Sequence, residues 1–258
     1  VRKARGFMQE GYRIVVDIDL EKFFDRVNHD RLMAKLAERV KDKILLKLIC
    51  AYLQAGVMEN GLVRGTEEGT PQVGPLSPLL SNIVLNELDK ELEKRQLRFV
   101  RYADDCNIYV KTWKAGQRVM NSISLFIERK LKLKVNREKS AVDRPWNRKF
   151  PGFTSGREKA KPQIRIASQS LQRVKAKIRA MTSRSRSTPM EIRIRELNQY
   201  LMGWCGYYVL AETKSVFQEL DAWTRSELRM CKWKQWKLPK TKVRELISLG
   251  VPKHKAYE

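Results

Sequence analysis

The sequence predicts an α+β fold, an antiparallel sheet with helices on one face over residues 1–155 and an all-α module over residues 156–258. Three observations lead there. Residues Ile14 to Leu20 alternate with period two, so Ile14, Val16, Ile18 and Leu20 share one face while Val15, Asp17 and Asp19 share the other. After Asp30, and again after Ser77, apolar residues recur at the three- and four-residue spacing of a helix. Beyond Gly152 the strand-like alternation gives way, after one short extended stretch, to helical spacing alone.

Taken in order, the first strand is followed by a helix with Asp30 as its expected N-cap and Leu32, Leu36 and Val40 as its stripe. A second apolar helix runs from Ile44 to Leu53 and stops before Gly56. Asn60-Gly61, between Val57-Met58-Glu59 and Leu62-Val63-Arg64, is the pair that a two-residue hairpin turn favours. Ser77-Pro78 supplies an N-cap and a first-turn proline for a helix striped by Leu80, Val84, Leu88 and Leu92. Phe99 to Val110 reads as a hairpin with Ala103-Asp104-Asp105 at its turn, followed by a helix through Val119, Ile123, Phe126 and Ile127 and a strand near Leu133 to Val135. Strands and helices thus interleave as in a split βαβ sheet. Thr154 to Pro162 is a polar connector, and Ile164 to Ala167 is the extended stretch. Helices follow through Leu171 to Met181, Ile192 to Tyr208, Val216 to Leu228 and Pro239 to Leu249, with a Ser/Arg-rich loop at Thr182 to Pro189. No internal repeat is evident.

The 258 residues carry 53 Lys and Arg against 29 Asp and Glu, a net charge of +24, which is too one-sided for a typical metabolic enzyme and implies a polyanionic partner. The surplus is steepest in residues 151–258, with 23 basic and 9 acidic side chains, so that half is expected to meet the phosphate backbone. Cys50, Cys106, Cys205 and Cys231 lack paired spacing, and only His29 and His254 could join them, so neither a zinc site nor a disulfide frame is expected. A hydrophobic content of 42% supports a packed core, and no apolar run reaches the ~18 residues of a membrane span. A soluble, cytoplasmic protein without a membrane partner is the expectation.

Four short runs carry the chemistry: Asp17 to Asp25 (Asp-Ile-Asp-Leu-Glu-Lys-Phe-Phe-Asp), Thr70 to Leu80, Tyr102 to Asp105 (Tyr-Ala-Asp-Asp), and Leu133 to Ser140. In this order they read as the palm of a polymerase. Phosphoryl transfer to a 3′-hydroxyl uses two hard cations roughly 3.5 to 4 Å apart, and carboxylates are fitting ligands for magnesium. Asp19 on the first strand and Asp104 with Asp105 at the hairpin turn can converge, because neighbouring strands lie about 5 Å apart. Clustered without a cation, three carboxylates would repel one another and raise their own pKa values. Each run alone has a plainer explanation. Asp-Asp after a strand is more often a solvated turn, Ser-Pro-Leu-Leu is a common helix start, Phe23 and Phe24 suit a core, and the basic stretch from Arg173 to Arg186 suits a solvated helix face. Their joint occurrence in one order, within about 120 residues of a basic chain, favours the chemical reading.

These runs resemble the sequence blocks of reverse transcriptases, and more narrowly those of the group II intron reverse transcriptase and maturase family. Asp19 to His29 resembles the first catalytic block, which implies Asp19 as a metal ligand, Phe24 as the gate against a ribose 2′-hydroxyl and Phe23 packed beside it. Gly69 to Asn82 resembles the nucleotide-binding block, with Pro71 and Gln72 against the incoming nucleotide. Tyr102 to Asp105 resembles the catalytic box, Lys139 the lysine of the next block, and Phe150, Gly152 and Phe153 the primer-grip turn. Asn198 to Tyr208 resembles the helical thumb with which maturases hold intron RNA.

The resemblance implies a reverse-transcriptase palm with a partial fingers remnant over 1–155 and a thumb, or maturase domain, over 156–258. It implies RNA-directed DNA synthesis with two Mg2+ ions, Mn2+ being an alternative, and a splicing role. The partners would be an RNA template, group II intron RNA, a DNA primer and product, and deoxynucleotides. Arg173, Lys177, Arg184 and Arg186 are the expected RNA contacts. Three departures stand out: the chain begins about sixteen residues before the first catalytic strand, so the family's fingers are largely absent; Val73 stands where the family has Gly; and Pro151 replaces an aliphatic residue before Gly152. Two other readings compete, an RNA-binding splicing cofactor with an inactive or incomplete polymerase site, and a reverse transcriptase of retron, diversity-generating or defence type.

Overall fold

The structure is a computed structural model that describes residues 1–54, 57–59, 62–64, 76–156 and 162–257, with 57–59 and 62–64 as backbone. The chain divides into two compact units, Val1–Pro162 and Gln163–Glu258.

The first unit is built on β1 (Ile14–Ile18), which lies inside a four-stranded sheet. Its neighbours are β5 (Asp105–Val110) and β6 (Ala141–Asp143), and β4 (Arg98–Tyr102) flanks β5. All three pairings are antiparallel. The alternation in β1 sorts the two faces as the sequence predicts. Ile14, Val16 and Ile18 join Cys106, Ile108 and Val110 in the main core, whereas Val15 joins Val100 and Tyr109 in a smaller cluster on the other side.

Most helices cover the core face. α2 (His29–Arg39), α4 (Ser77–Lys94) and α5 (Trp113–Phe126) place Leu32, Leu36, Leu80, Leu85, Leu88, Leu92 and Ile123 in the main core. α3 (Lys43–Gln54) contributes Leu53 and leaves Ile44 and Leu48 exposed. A short α1 (Arg2–Gln9), which the basic opening of the chain does not suggest, lays Ala4 and Phe7 on the smaller cluster, with the Phe7 ring 5.7 Å from that of Tyr109.

Several local expectations are corrected. The N-cap of α2 is Asn28, whose side chain accepts a hydrogen bond from Arg31 N–H at 3.0 Å, and Asp30 sits within the first turn. Ser77 is inside α4 rather than capping it, and Ser81 instead bonds the Pro78 carbonyl at 2.9 Å. The stretch Leu133 to Val135 makes a single bridge, Leu20 to Val135, and the fourth strand of the sheet is β6, a few residues on. A π-helical turn at Ile127–Leu131 and Lys132 in the left-handed region (φ 57°) end α5 and redirect the chain there. β2 (Val57–Glu59) and β3 (Leu62–Arg64) pair antiparallel around the expected Asn60-Gly61 turn, which itself lies outside the described residues.

The second unit gathers α6 (Ser168–Met181), α7 (Met190–Tyr207) and α8 (Lys214–Gln235) around Val174, Ile178, Leu197 and Leu220, with Trp204 and Trp223 packed against them. α9 (Pro239–Ser248) and the short α10 (Lys253–Ala256) follow. Among the described residues, no helix is long and apolar enough to cross a membrane.

Gly116 on α5 faces the sheet so closely that a Cβ there would stand 2.6 Å from Val142 Cγ1 and 3.3 Å from Ile14 Cγ2. A mid-helix Gly→Ala change ordinarily gains up to about 1 kcal/mol, but forcing a methyl into a packed interface costs about 1 to 3 kcal/mol. Gly116→Ala is therefore expected to lower the unfolding free energy by about 1 to 2 kcal/mol in denaturant titration. A gain in stability would show that α5 can lift from the sheet without loss.

Candidate active site

Asp19 lies directly after β1, and Asp105 opens β5. The ladder pairs Ile18 with Cys106, so the same antiparallel register makes Asp19 and Asp105 the next facing positions. Residues that face each other across a ladder share a side of the sheet, as do residues two apart along a strand. Asp17, Asp19 and Asp105 therefore stand on one face, opposite the apolar core. Asp104 occupies the two-residue turn with Ala103, between the paired Tyr102 and Asp105.

The electrostatics match this placement. Burial and the charges of Asp104 and Asp19 push the Asp105 carboxyl above the usual carboxylate range. Asp17 is raised to about 6, first by burial and then by Asp105 and Asp19, while Arg148 and Lys149 pull it down. Arg148 Nε lies 3.3 Å from Asp17 Oδ2. Carboxylates held together against their own repulsion fit a hard cation. Among the described residues, however, no three His, Cys, Asp or Glu side chains form a group able to hold a metal unaided. That is compatible with magnesium, which usually takes one or two carboxylates and completes its shell with water and substrate phosphates.

Two arrangements fix the acids in place, and the sequence reading missed both. Asp19 is held through its backbone: its N–H donates to Ser140 Oγ at 3.0 Å, and its carbonyl accepts from Ser140 Oγ at 3.3 Å and from Asn136 N–H at 2.9 Å. Asn136 in turn accepts from the N–H groups of Glu138 and Lys139, both at 3.2 Å, which shapes the loop. The second arrangement holds the Asp104 turn. Arg101 on β4 makes a two-pronged pair with Asp89 of α4, at 2.8 and 2.6 Å, and donates to the Ala103 carbonyl at 2.8 Å and to Asn82 Oδ1 at 3.0 Å. Ala103 is in the left-handed region (φ 53°), a conformation that a non-glycine residue keeps only when its surroundings enforce it. The polar residues Asn136 and Ser140 in a basic run, and Arg101 between two apolar neighbours, were the available signals.

Phe23 and Phe24 open a 3₁₀ turn at Phe23–Arg26 just after the Asp19 strand. Phe23 is a core residue, 2% exposed, and meets the partly buried Phe24 edge-on at 5.3 Å, so it supports Phe24 from behind. Lys139 is exposed on the loop that clamps Asp19, and its carbonyl accepts from Arg148 at 2.9 Å. Pro71, Gln72 and Val73 lie outside the described residues. Phe150 and Phe153 bridge each other, with N–H to carbonyl distances of 2.8 and 3.3 Å, around Pro151 and Gly152. Gly152 has φ 79°, so the pair follows the Pro-Gly pattern of a type II turn, in which the fixed φ of proline is favoured at the first central position. The proline thus suits the turn it occupies.

In the second unit, Arg173 and Lys177 are exposed on α6, and Arg184 is exposed in the loop after it. Arg186 pairs with Glu196 at 2.8 Å. The loop is held from inside by Arg193 of α7, which is 3% exposed and donates to the carbonyls of Met181 (2.7 Å), Ser183 (3.0 Å) and Arg186 (2.8 Å).

Residues 3–155 match the family model "Reverse transcriptase (RNA-dependent DNA polymerase)", and residues 171–248 match "Group II intron, maturase-specific domain". The chain is 32% identical over 164 residues to "Protein YkfC" of Escherichia coli strain K12, covering 50% of this chain and 43% of that protein. It is 30% identical over 196 residues to "Group II intron-encoded protein LtrA" of Lactococcus lactis subsp. cremoris, covering 51% of this chain and 33% of that protein. It therefore spans less than half the length of these curated relatives. Among solved structures, telomerase from Candida albicans in complex with a fragment of telomeric RNA superposes with a TM-score of 0.50 at 14% identity, over 99% of this chain and 51% of that one. At that identity the likeness concerns the fold alone.

The Ser140 clamp has a measurable consequence. Ser140→Ala leaves the Asp19 N–H without its partner in a part-buried place, which should lower the unfolding free energy by about 1 to 2 kcal/mol, with Ser140→Thr restoring part of it. Equal denaturation midpoints for Ser140→Ala and the parent would mean that the clamp holds nothing.

Proposed function

The chain belongs to the reverse transcriptase family and carries the maturase-specific domain of group II intron proteins, and from that premise we propose that it is the palm and thumb of an RNA-directed DNA polymerase of group II intron type. The observation that carries the reading is the pairing register that brings Asp19 opposite Asp105, beside Asp104. Asp19, Asp104 and Asp105 would hold divalent cations, Mg2+ first among them, and these ions supply charge stabilisation for triphosphate and leaving group. The protein's own part is positioning. Ser140 and Asn136 hold the Asp19 backbone, and Arg101 holds the Ala103–Asp104 turn from α4. Phe24, backed by Phe23, would lie against the sugar of a deoxynucleotide, with Pro71, Gln72 and Lys139 completing the nucleotide site. The Phe150–Phe153 turn would support a DNA primer. The second unit would bind template or intron RNA through its basic faces, which suits a role in splicing.

The experiment is primer extension on an RNA template with magnesium and deoxynucleotides, by the chain as given and by a longer chain that spans the length of its relatives. Asp104→Ala or Asp105→Ala in the longer chain should remove DNA synthesis and leave RNA binding almost intact, because these side chains would hold cations rather than RNA. Parental extension rates in either variant would overturn the assignment.

A second prediction concerns α6, whose buried Val174 and Ile178 leave Arg173 and Lys177 pointing to solvent. Changing both to Glu should weaken binding to structured RNA. It should also flatten the slope of log affinity against log salt by about one to two units, since each lost phosphate contact removes roughly 0.7 to 0.9. Salt titration of parent and variant decides, and an unchanged slope would remove α6 from the RNA surface.

A further inference from the structure

At the C-terminal end of α8, within the second unit, a cleft of about 450 Å³ is lined by Arg184, Arg229, Lys234, Lys237 and Lys242 around Trp233. No Asp or Glu lines it, so its electrostatics suit an anion. Its aromatic component is arranged rather than incidental. Trp233 is 48% exposed, and Trp236, only 9% exposed, stands behind it with ring centroids 6.3 Å apart. Lys242 Nζ lies 4.5 Å from the centre of the Trp233 ring, so a cation already sits over one face of that ring. The Arg184 side of the cleft is anchored too. Lys234 Nζ donates to the Arg184 carbonyl at 2.9 Å, Cys231 Sγ donates to the Thr182 carbonyl at 2.8 Å, and Arg193 grips the carbonyls of Ser183 and Arg186.

Resting on the proposal that this unit binds RNA, we infer that the cleft receives one unpaired nucleotide of an RNA, its base stacked on Trp233 in place of the Lys242 ammonium and its flanking phosphates met by Arg229, Lys237 and the displaced Lys242. Phosphate alone would need no exposed tryptophan, and an apolar partner would not choose a rim of five cations. A nucleotide presents both a π-face and a negative charge, and cationic grooves with stacking aromatics bind single strands in this way. In a duplex the bases are already stacked on one another, so the cleft should discriminate in favour of a bulged or single-stranded residue.

The test compares, on the full chain, an RNA hairpin with a single-nucleotide bulge, the same hairpin without the bulge, and an acidic peptide of matched charge. The parent should prefer the bulged hairpin. Trp233→Ala, at a half-exposed position, should lower affinity for the bulged hairpin by roughly ten-fold, the scale of one stacked base, and erase the preference. Trp233→Phe should keep most of it. The inference is overturned if the parent binds both hairpins equally, if the preference survives in Trp233→Ala, or if the acidic peptide binds more tightly than the bulged RNA. Failure of the parent to bind either hairpin would defeat the RNA-binding reading of the unit as well, whereas binding without preference defeats only the cleft.

Discussion

The antiparallel pairing of β1 with β5, in the register that sets Ile18 opposite Cys106, is the constraint on which the first unit depends. Side chains alternate along a strand, so a slip of one residue would turn Ile14, Val16 and Ile18 outward and drive Asp17 into the core. The buried face thus enforces the register, and the register brings two acids separated by more than eighty residues to facing positions. Stability and the candidate chemistry are consequences of one ladder. The burial and mutual repulsion that raise Asp17 and Asp105 are tolerated because apolar burial on the opposite face outweighs them.

Around that ladder, the described hydrogen bonds at Asp19 and at the Ala103–Asp104 turn act on backbone atoms, whereas the Asp17 carboxylate pairs with Arg148. Ser140 and Asn136 hold the peptide groups of Asp19, and Arg101 holds the carbonyl of Ala103. The carboxylates are thereby aimed without having their oxygen atoms consumed. This division suits a site whose ligands must remain open to a cation and a phosphate. A carboxylate tied directly to an arginine is already compensated, as Asp89 is by Arg101.

Much of this was legible in the sequence. The alternation of Ile14 to Leu20 fixed which residues of β1 face the core, and the hairpin around Ala103 to Asp105 followed from two apolar runs flanking acids. The order of the four motifs carried the family. What escaped notice depends on partners far along the chain. β6 is three residues long, has one strongly apolar side chain in Val142, and becomes a strand only because β1 offers an unpaired edge. α1 has few apolar residues and forms where Val15, Val100 and Tyr109 give Phe7 a surface to cover. Ser140 acts across a separation of 121 residues, which no local pattern records. The Trp233 cleft was missed because the reading placed RNA contacts on α6 and its following loop, although the alternation of Lys and Trp from Lys232 to Lys237 was in plain view.

The interior guanidinium of Arg193 bonds the last carbonyl oxygen of α6 and two carbonyl oxygens of the following loop, which itself displays arginines. A carboxylate has no hydrogen to donate to those oxygens, and a lysine could not span three acceptors with a planar fork. Because the donors are deep and the acceptors are main-chain atoms, the side chains that point outward can vary without disturbing the support. Arg184 and Arg186 are in this sense fittings on a fixed bracket, and the charge that the loop shows to solvent can be altered by surface substitution alone.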